Sequence, residues 1–205
     1  MTNKPIFVTG IGTGIGKTIV SAILVENLKA DYWKPIQSGD LEDSDTIKVK
    51  SLITNTRSVF HPEAYRLTQP FSPHKSAKID NITIEADKII LPKTDNQLII
   101  EGAGGLMVPL NDHFLMIDLI KQLDAEVILV SQNYLGSINH TLLSIEALKA
   151  RGIPLKSVIF NGITDSETES IISINSPGIK TTNIPLLNNL SKTEILVLAN
   201  NYNEL

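Results

Sequence analysis

The stretch FVTGIGTGIGKTIVS, residues 7 to 21, constrains the fold more than any other part of the chain. Ile6, Phe7 and Val8 form a short apolar run, as a buried strand does. After Thr18 the apolar residues Ile19, Val20, Ile23 and Leu24 recur near helical spacing. Strand, glycine loop and a helix opening at Gly16-Lys17-Thr18 together form the setting of a phosphate-binding loop. The helix start leaves N–H groups unpaired and its dipole favours an anion there. Lys17 would add a point charge for the outer phosphates, and the Thr18 hydroxyl is a Mg²⁺ ligand type. The spacing departs from the common G-x-x-x-x-G-K-[ST], whose first glycine would fall at Ile11. The chain offers Gly10 instead, so the loop is one residue longer. The dinucleotide pattern G-x-G-x-x-G fails too, because it would need glycine at Ile15 or at Lys17. A glycine-rich turn with no nucleotide is the alternative.

The 205 residues suit one domain over 1–205 with a full core, and 42% apolar with 20% charged residues is ordinary for a globular protein. A formal charge of -4 gives no general attraction to nucleic acid or to an anionic membrane. Without cysteine there are no disulfides, thiolate metal sites or cysteine nucleophiles. No secretory segment is expected in MTNKPIFVTG, and no apolar run approaches the roughly 20 residues that cross a bilayer. These facts suit a cytoplasmic enzyme.

Strands are expected at Pro5–Thr9, Gln97–Glu101, Glu126–Ser131 and Ser157–Asn161, with a weaker one at Asp31–Pro35. Helices are expected at Thr18–Ala30, Ser44–Leu52, Thr83–Leu91, Phe114–Leu123 and Ile138–Arg151, with a peripheral last helix in NNLSKTEILVLANNYNEL. Thr54–Ala77, with its three prolines, reads as a long ordered loop or lid. The alternation predicts an α/β fold, P-loop NTPase-like, with a mostly parallel sheet and helices on both faces. Ligands bind such sheets beyond the carboxyl ends of the strands. The residues with chemistry do follow the strands: KPIQSG, EGAGG, NYLGSINH and NGIT.

Glu101 ends an apolar strand, where an acid in a phosphate-loop enzyme sits near the metal; a carboxylate that merely solvates a strand end is the alternative. Gly102, Gly104 and Gly105 beside it permit close backbone approach to a ligand. Asp45 is open to two readings, a second Mg²⁺ ligand or an acid favoured at a helix start. Lys34 precedes Pro35 at a strand end, where it would counter phosphoryl or substrate charge, or else be a solvated lysine. Ser38 either meets substrate or makes a turn with Gly39.

With these residues in place the chain resembles the dethiobiotin synthetase family. The resemblance rests on VTGIGTGIGKT, KPIQSG, DSD, FSPH, EGAGG, LGSINH and IFNGI, in the family's order and at similar intervals over about residues 6 to 162, with a weaker match at NIPLL. It implies a homodimeric ligase of biotin biosynthesis that closes the ureido ring of dethiobiotin from 7,8-diaminononanoate, CO₂ and ATP with Mg²⁺. A carbamate formed on one amine would attack the γ-phosphate, and the second amine would close the ring on the resulting carbamic-phosphoric anhydride. By the same resemblance Lys17 and Lys34 supply catalytic positive charge, and Thr18, Asp45 and Glu101 hold Mg²⁺. The nucleotide would meet Gly14, Ile15, Gly16, Lys17, Thr18 and Ile19, with Gly102, Ala103 and Gly104 alongside. Asn161 and Gly162 would read adenine next to the backbone of Ile184, Pro185 and Leu186. Substrate contacts fall to Thr13 and Ser38, and to Gly136, Ser137, Ile138 and Asn139 from the second copy across the dimer. Many relatives carry an acidic residue where this chain has Gly14, which removes any carboxylate role there.

A phosphate-loop regulatory or segregation-type ATPase switch is the rival reading. Such proteins often carry a lysine early in the loop, where this chain has Gly12. A GTPase would need N-K-x-D, which is absent, and a glutamine-cleaving amidating synthetase would need a cysteine.

Overall fold

Strands that are apolar on both sides require cover on both sheet faces. The computed structural model of the chain describes residues 4–187 and 189–201. In chain order the elements are β1 (Ile6–Gly10), α1 (Lys17–Leu28), β2 (Asp31–Trp33), β3 (Ile36–Ser38), α2 (Asp45–Leu52), β4 (Phe60–His61), β5 (Tyr65–Leu67) and α3 (Pro73–Ile79). They continue with β6 (Leu98–Gly105), α4 (Met116–Gln122), β7 (Glu126–Ser131), α5 (Ser137–Ala150), β8 (Leu155–Gly162), α6 (Ser166–Asn175), β9 (Lys180–Pro185) and α7 (Lys192–Asn201). The main sheet has the order β4-β2-β6-β1-β7-β8-β9, and every pairing in it is parallel. β3 and β5 form a separate parallel ribbon.

Alternation along each strand sorts the core into two layers. Ile6, Val8, Ile99, Ile128, Val130 and Ile159 pack with α1, α2 and α7 through Val20, Ile23, Leu24, Val49 and Ile195. Phe7, Leu98, Ile100, Val127, Leu129, Val158 and Phe160 face the other way, onto Ile117, Ile120, Leu148 and Ile172 of α4, α5 and α6. The expected parallel sheet with helices on both faces is therefore the fold. β1 lies beside β6; the chain leaves β1 toward β2 and leaves β6 toward β7 in the opposite direction, which opens a crevice at the carboxyl ends of these two strands. No helix among the described residues is long and apolar enough to cross a membrane.

Two expectations need correction. The predicted helix Thr83–Leu91 is an extended strap with one 3-10 turn at Ala86–Lys88. Ile84 and Ile89 are its buried anchors, a spacing that no single helical face provides. Side chains take up backbone groups that a helix would pair: Glu85 N donates to the Tyr65 hydroxyl, and Gln122 Nε2 donates to Ala86 O. Thr54–Ala77 is not loop throughout, because β4, β5 and the first turn of α3 fall within it. The last expected helix is present as α7; Asn188 and residues 202–205 of that stretch lie outside the described residues.

The α1–α2 side is tied by Glu26, which lies buried on α1. Its carboxylate accepts from Thr54 N (2.6 Å), Thr54 Oγ1 (2.7 Å), Asn55 N (3.1 Å) and Asn55 Nδ2 (3.3 Å). Burial pushes the carboxyl up, but these donors outweigh it and hold it below its ordinary 4.5. Its stabilisation is thus fully present above pH 4.5 and lost as pH falls through the lower folded value. Glu26→Gln is expected to lose about 1–2 kcal/mol in urea unfolding at neutral pH, with the gap to wild type narrowing below pH 4.5. Equal stability at neutral pH would contradict this assignment.

Candidate active site

The loop after β1 turns back over the crevice because two of its glycines take left-handed backbone angles, Gly14 at φ 74° and Gly16 at φ 90°. Gly16 is the residue before α1, and the first-turn N–H groups of that helix point into the loop. A Cβ on Gly16 would strike the side-chain amide of Asn161, which donates to Ile15 O at 3.0 Å. The Ile15 side chain is buried in the α1 layer of the core and anchors the middle of the loop. Lys17 Nζ reaches back to Gly12 O at 2.9 Å. Burial, then repulsion from Lys34, lowers its pKa to about 8, against the pull of Glu101 and Asp45.

Below the loop the strand ends bring together four charged or hydroxylated side chains from four elements. The Thr18 hydroxyl lies 2.9 Å from Glu101 Oε1 and 3.2 Å from Asp45 Oδ1, and its single proton serves one of them at a time. Lys34 Nζ lies 2.6 Å from Asp45 Oδ2, 3.3 Å from Glu101 Oε1 and 3.2 Å from Gly102 O. Lys34 is only 3% exposed and Glu101 only 1%. Burial alone would strip Lys34 of its proton, but Glu101 and then Asp45 outweigh it and raise its pKa. Burial likewise pushes Asp45 up, and Lys34 outweighs that to hold it as a carboxylate below its ordinary value. Lys34 is therefore no solvated surface lysine.

Asp45 opens α2, but Ser44 is the cap: its hydroxyl accepts from Ile47 N at 3.4 Å. That leaves the Asp45 carboxylate free to face Lys34 and Thr18.

A cavity of about 600 Å³ joins these groups. Thr13, Gly14, Gly16, Lys17, Thr18, Ile19, Lys34, Ser38, Asp45, Glu101, Ala103 and Gly104 all line it. The Ser38 hydroxyl is buried there with no protein partner. Gly102 contributes its carbonyl to Lys34 from beneath. Asn161, Gly162, Ile184, Pro185 and Leu186 gather to one side, since Asn161 pairs with Ile184 and Gly162 with Pro185 at the ends of β8 and β9. The Ile184 side chain faces the core, so only its backbone borders that side. Gly136, Ser137, Ile138 and Asn139, at the start of α5, do not reach the cavity within one chain. A larger concavity of about 1070 Å³ opens between α3 and residues 110–114, and neither the loop nor the buried carboxylates reach it.

Two site residues escape sequence reasoning. Tyr32 donates to Glu101 Oε2 at 3.0 Å; its place two residues before Lys34, on the same side of a strand, was the available signal. Gln37 accepts from Asp45 N at 3.3 Å and donates to Gly39 O at 3.0 Å, clamping the turn that carries Asp45. Pro70 and the Phe71-Ser72-Pro73 part of FSPH also wall the cavity.

A parallel sheet with helices on both faces and a glycine loop leading from β1 into α1 defines a P-loop NTPase-like protein. Solved structures share this fold at 14–15% identity. They include the septum site-determining protein MinD of Pyrococcus horikoshii (TM-score 0.62, 98% of this chain and 96% of that one) and a ParA family ATPase of Chlorobium tepidum (0.57, 96% and 99%). A family model described as an AAA domain matches residues 4–197. Proteins named ATP-dependent dethiobiotin synthetase are 59% identical over 169 residues in Christiangramia forsetii (82% of this chain, 81% of the relative) and 54% over 170 in Cytophaga hutchinsonii (82% of each). One from Brucella ovis is 44% identical over 193 residues, covering 94% of this chain and 91% of its own. The chain belongs to the ATP-dependent dethiobiotin synthetase family.

Proposed function

We propose that this protein closes the ureido ring of dethiobiotin from 7,8-diaminononanoate, CO₂ and ATP in the cytoplasm, within one domain. The observation that carries the reading is the pairing of Lys34 with Asp45 and Glu101 beneath the loop, in a chain whose relatives are named for this activity. One substrate amine adds to CO₂ and loses a proton, giving a carbamate. A carbamate oxygen attacks the γ-phosphorus of ATP, and ADP leaves with the bond electrons. The second amine attacks the carbonyl of the resulting carbamic-phosphoric anhydride, phosphate departs, and the ring nitrogen loses its proton. None of these steps needs a protein nucleophile; alignment and charge neutralisation suffice.

Backbone N–H groups of Gly14, Ile15 and Gly16, continued into Lys17, Thr18 and Ile19, cradle the phosphates, with Gly102, Ala103 and Gly104 opposite. Lys17 and Lys34 neutralise charge on the transferring phosphoryl group and the carbamate. Asn161, whose amide nitrogen is held by Ile15 O, keeps its carbonyl oxygen for the adenine amine, beside Gly162 and the backbone at Ile184, Pro185 and Leu186. The diamine would be met by Thr13 and Ser38, which line the cavity, the Ser38 hydroxyl having no protein partner.

The oxygen set of Thr18, Asp45 and Glu101 fits Mg²⁺, a hard cation usually held by one or two carboxylates with phosphates and waters completing its shell. The ammonium already seated between the carboxylates shows that the spot accepts positive charge. Among the described residues no group of three or more acidic or histidine side chains offers a cage of its own. Bound there, Mg²⁺ would neutralise charge developing on the phosphates.

The assay is mass-spectrometric detection of product from 7,8-diaminononanoate, bicarbonate and ATP. Product of the mass of dethiobiotin is expected, falling by orders of magnitude in Lys17→Ala. Slow ATP hydrolysis indifferent to the diamine would point instead to a switch ATPase.

A homodimer with a shared site completes the reading. The start of α5 exposes N–H groups at Ile138 and Asn139 without a side-chain cap, and it is flanked by exposed Tyr134, Leu135 and Leu143. Gly136, Ser137, Ile138 and Asn139 of one copy would meet the carboxylate of substrate bound in the other. Mixing Lys17→Ala with a variant altered only at Asn139 should then restore part of the activity. No recovery despite demonstrated subunit exchange would exclude the shared site.

A further inference from the structure

Glu101 has two carboxylate oxygens, and they face different company. Oε1 looks into the cavity, toward the Thr18 hydroxyl at 2.9 Å and Lys34 Nζ at 3.3 Å. Oε2 looks away and accepts from the Tyr32 hydroxyl at 3.0 Å. Tyr32 is fully buried and is fixed from three directions. Its residue pairs with Ile99 of β6 on one side and with Phe60 of β4 on the other. Its ring lies against the Phe60 ring, with centroids 5.6 Å apart. Turning Glu101 so that both oxygens faced the cavity would leave that hydroxyl buried without an acceptor, which the fold resists.

We propose that Tyr32 is a positioning residue that holds Glu101 to a one-oxygen contact and so sets the preference of the cation site for Mg²⁺ over the larger Ca²⁺. The inference rests on the reading of Thr18, Asp45 and Glu101 as the cation's ligands. Ca²⁺ takes more oxygens than Mg²⁺ and readily takes both from one carboxylate, whereas Mg²⁺ keeps six in a tight octahedron. A carboxylate locked by a rigid phenol offers little to the first ion and suits the second. Outer partners of metal ligands commonly change affinity by about 10–100-fold when removed.

The test is equilibrium binding of the non-hydrolysable analogue adenylyl imidodiphosphate, titrated with Mg²⁺ or Ca²⁺, in wild type and Tyr32→Phe. The ratio of the two half-saturating concentrations should move toward Ca²⁺ by about tenfold in the variant. Phe60→Leu, which loosens the ring packing but keeps the hydroxyl, should cost thermal stability and leave the ratio in place. An unchanged ratio in Tyr32→Phe, or an equal shift in Phe60→Leu, would overturn the role given to Tyr32. Wild type alone also decides if Tyr32→Phe fails to fold: Ca²⁺ supporting binding as well as Mg²⁺ would overturn the proposal, and at least a tenfold weaker effect of Ca²⁺ would support it. No divalent dependence at all in wild type would instead remove the cation-site reading beneath it.

Discussion

A buried ammonium between two carboxylates organises this molecule. Lys34 has almost no access to water, so its charge persists only because Asp45 and Glu101 face it. Each partner arrives from a different element: Lys34 follows β2, Glu101 lies in β6, Asp45 opens α2, and Thr18 of α1 touches both acids. The network therefore ties the end of the sheet to two helices. Removing any one charge leaves another stranded in a place of low polarity, which explains why acid, base and hydroxyl occur as a set.

The rest of the fold holds that set in position. β1 is covered on both faces and paired on both edges, so the loop that leaves it starts from a fixed point. Ile15 pins the loop from below and Asn161 braces it from the side. Backbone of the glycine loop, a lysine that follows it and a carboxylate cluster then all line one cavity, an arrangement suited to phosphoryl transfer. Lys17 at about 8 and Lys34 above its ordinary value show how position divides two chemically identical side chains. One has carboxylates in direct contact, and the other has a carbonyl for company.

Much of this was legible in the sequence because it depends on short-range pattern. The apolar runs of β1, β6, β7 and β8 and the Gly16-Lys17-Thr18 turn declare themselves, since strands buried on both faces read as near-continuous apolar runs. β9 did not, because it is an edge strand whose Lys180, Thr181 and Asn183 are exposed, and so it carries no apolar run. The ribbon of β3 and β5 is only three residues long and depends on pairing across distant segments. The strap around Ile84 and Ile89 is not legible as a strap because its backbone groups find their partners, Tyr65 and Gln122, only in three dimensions. Lys34, Asp45 and Glu101 are each identifiable as candidates with an ordinary alternative; their mutual contact, which removes the solvated-lysine alternative for Lys34, needs the fold, while Asp45 also keeps its place in the first turn of α2. Tyr32 and Gln37 act on those residues from behind; the spacing of Tyr32 from Lys34 is the one hint to it, and nothing in the neighbourhood of Gln37 separates it from a core position.

If the Lys34 ammonium stands where positive charge is required, a divalent cation should substitute for it. Lys34→Met keeps the stem and removes the charge, leaving two carboxylates facing each other. Thermal unfolding with chelator should show a loss of about 3 kcal/mol relative to wild type. Mg²⁺ alone, without nucleotide, should then raise the melting temperature of the variant much more than that of wild type. Equal responses of both proteins to Mg²⁺, or a variant as stable as wild type in chelator, would contradict the account.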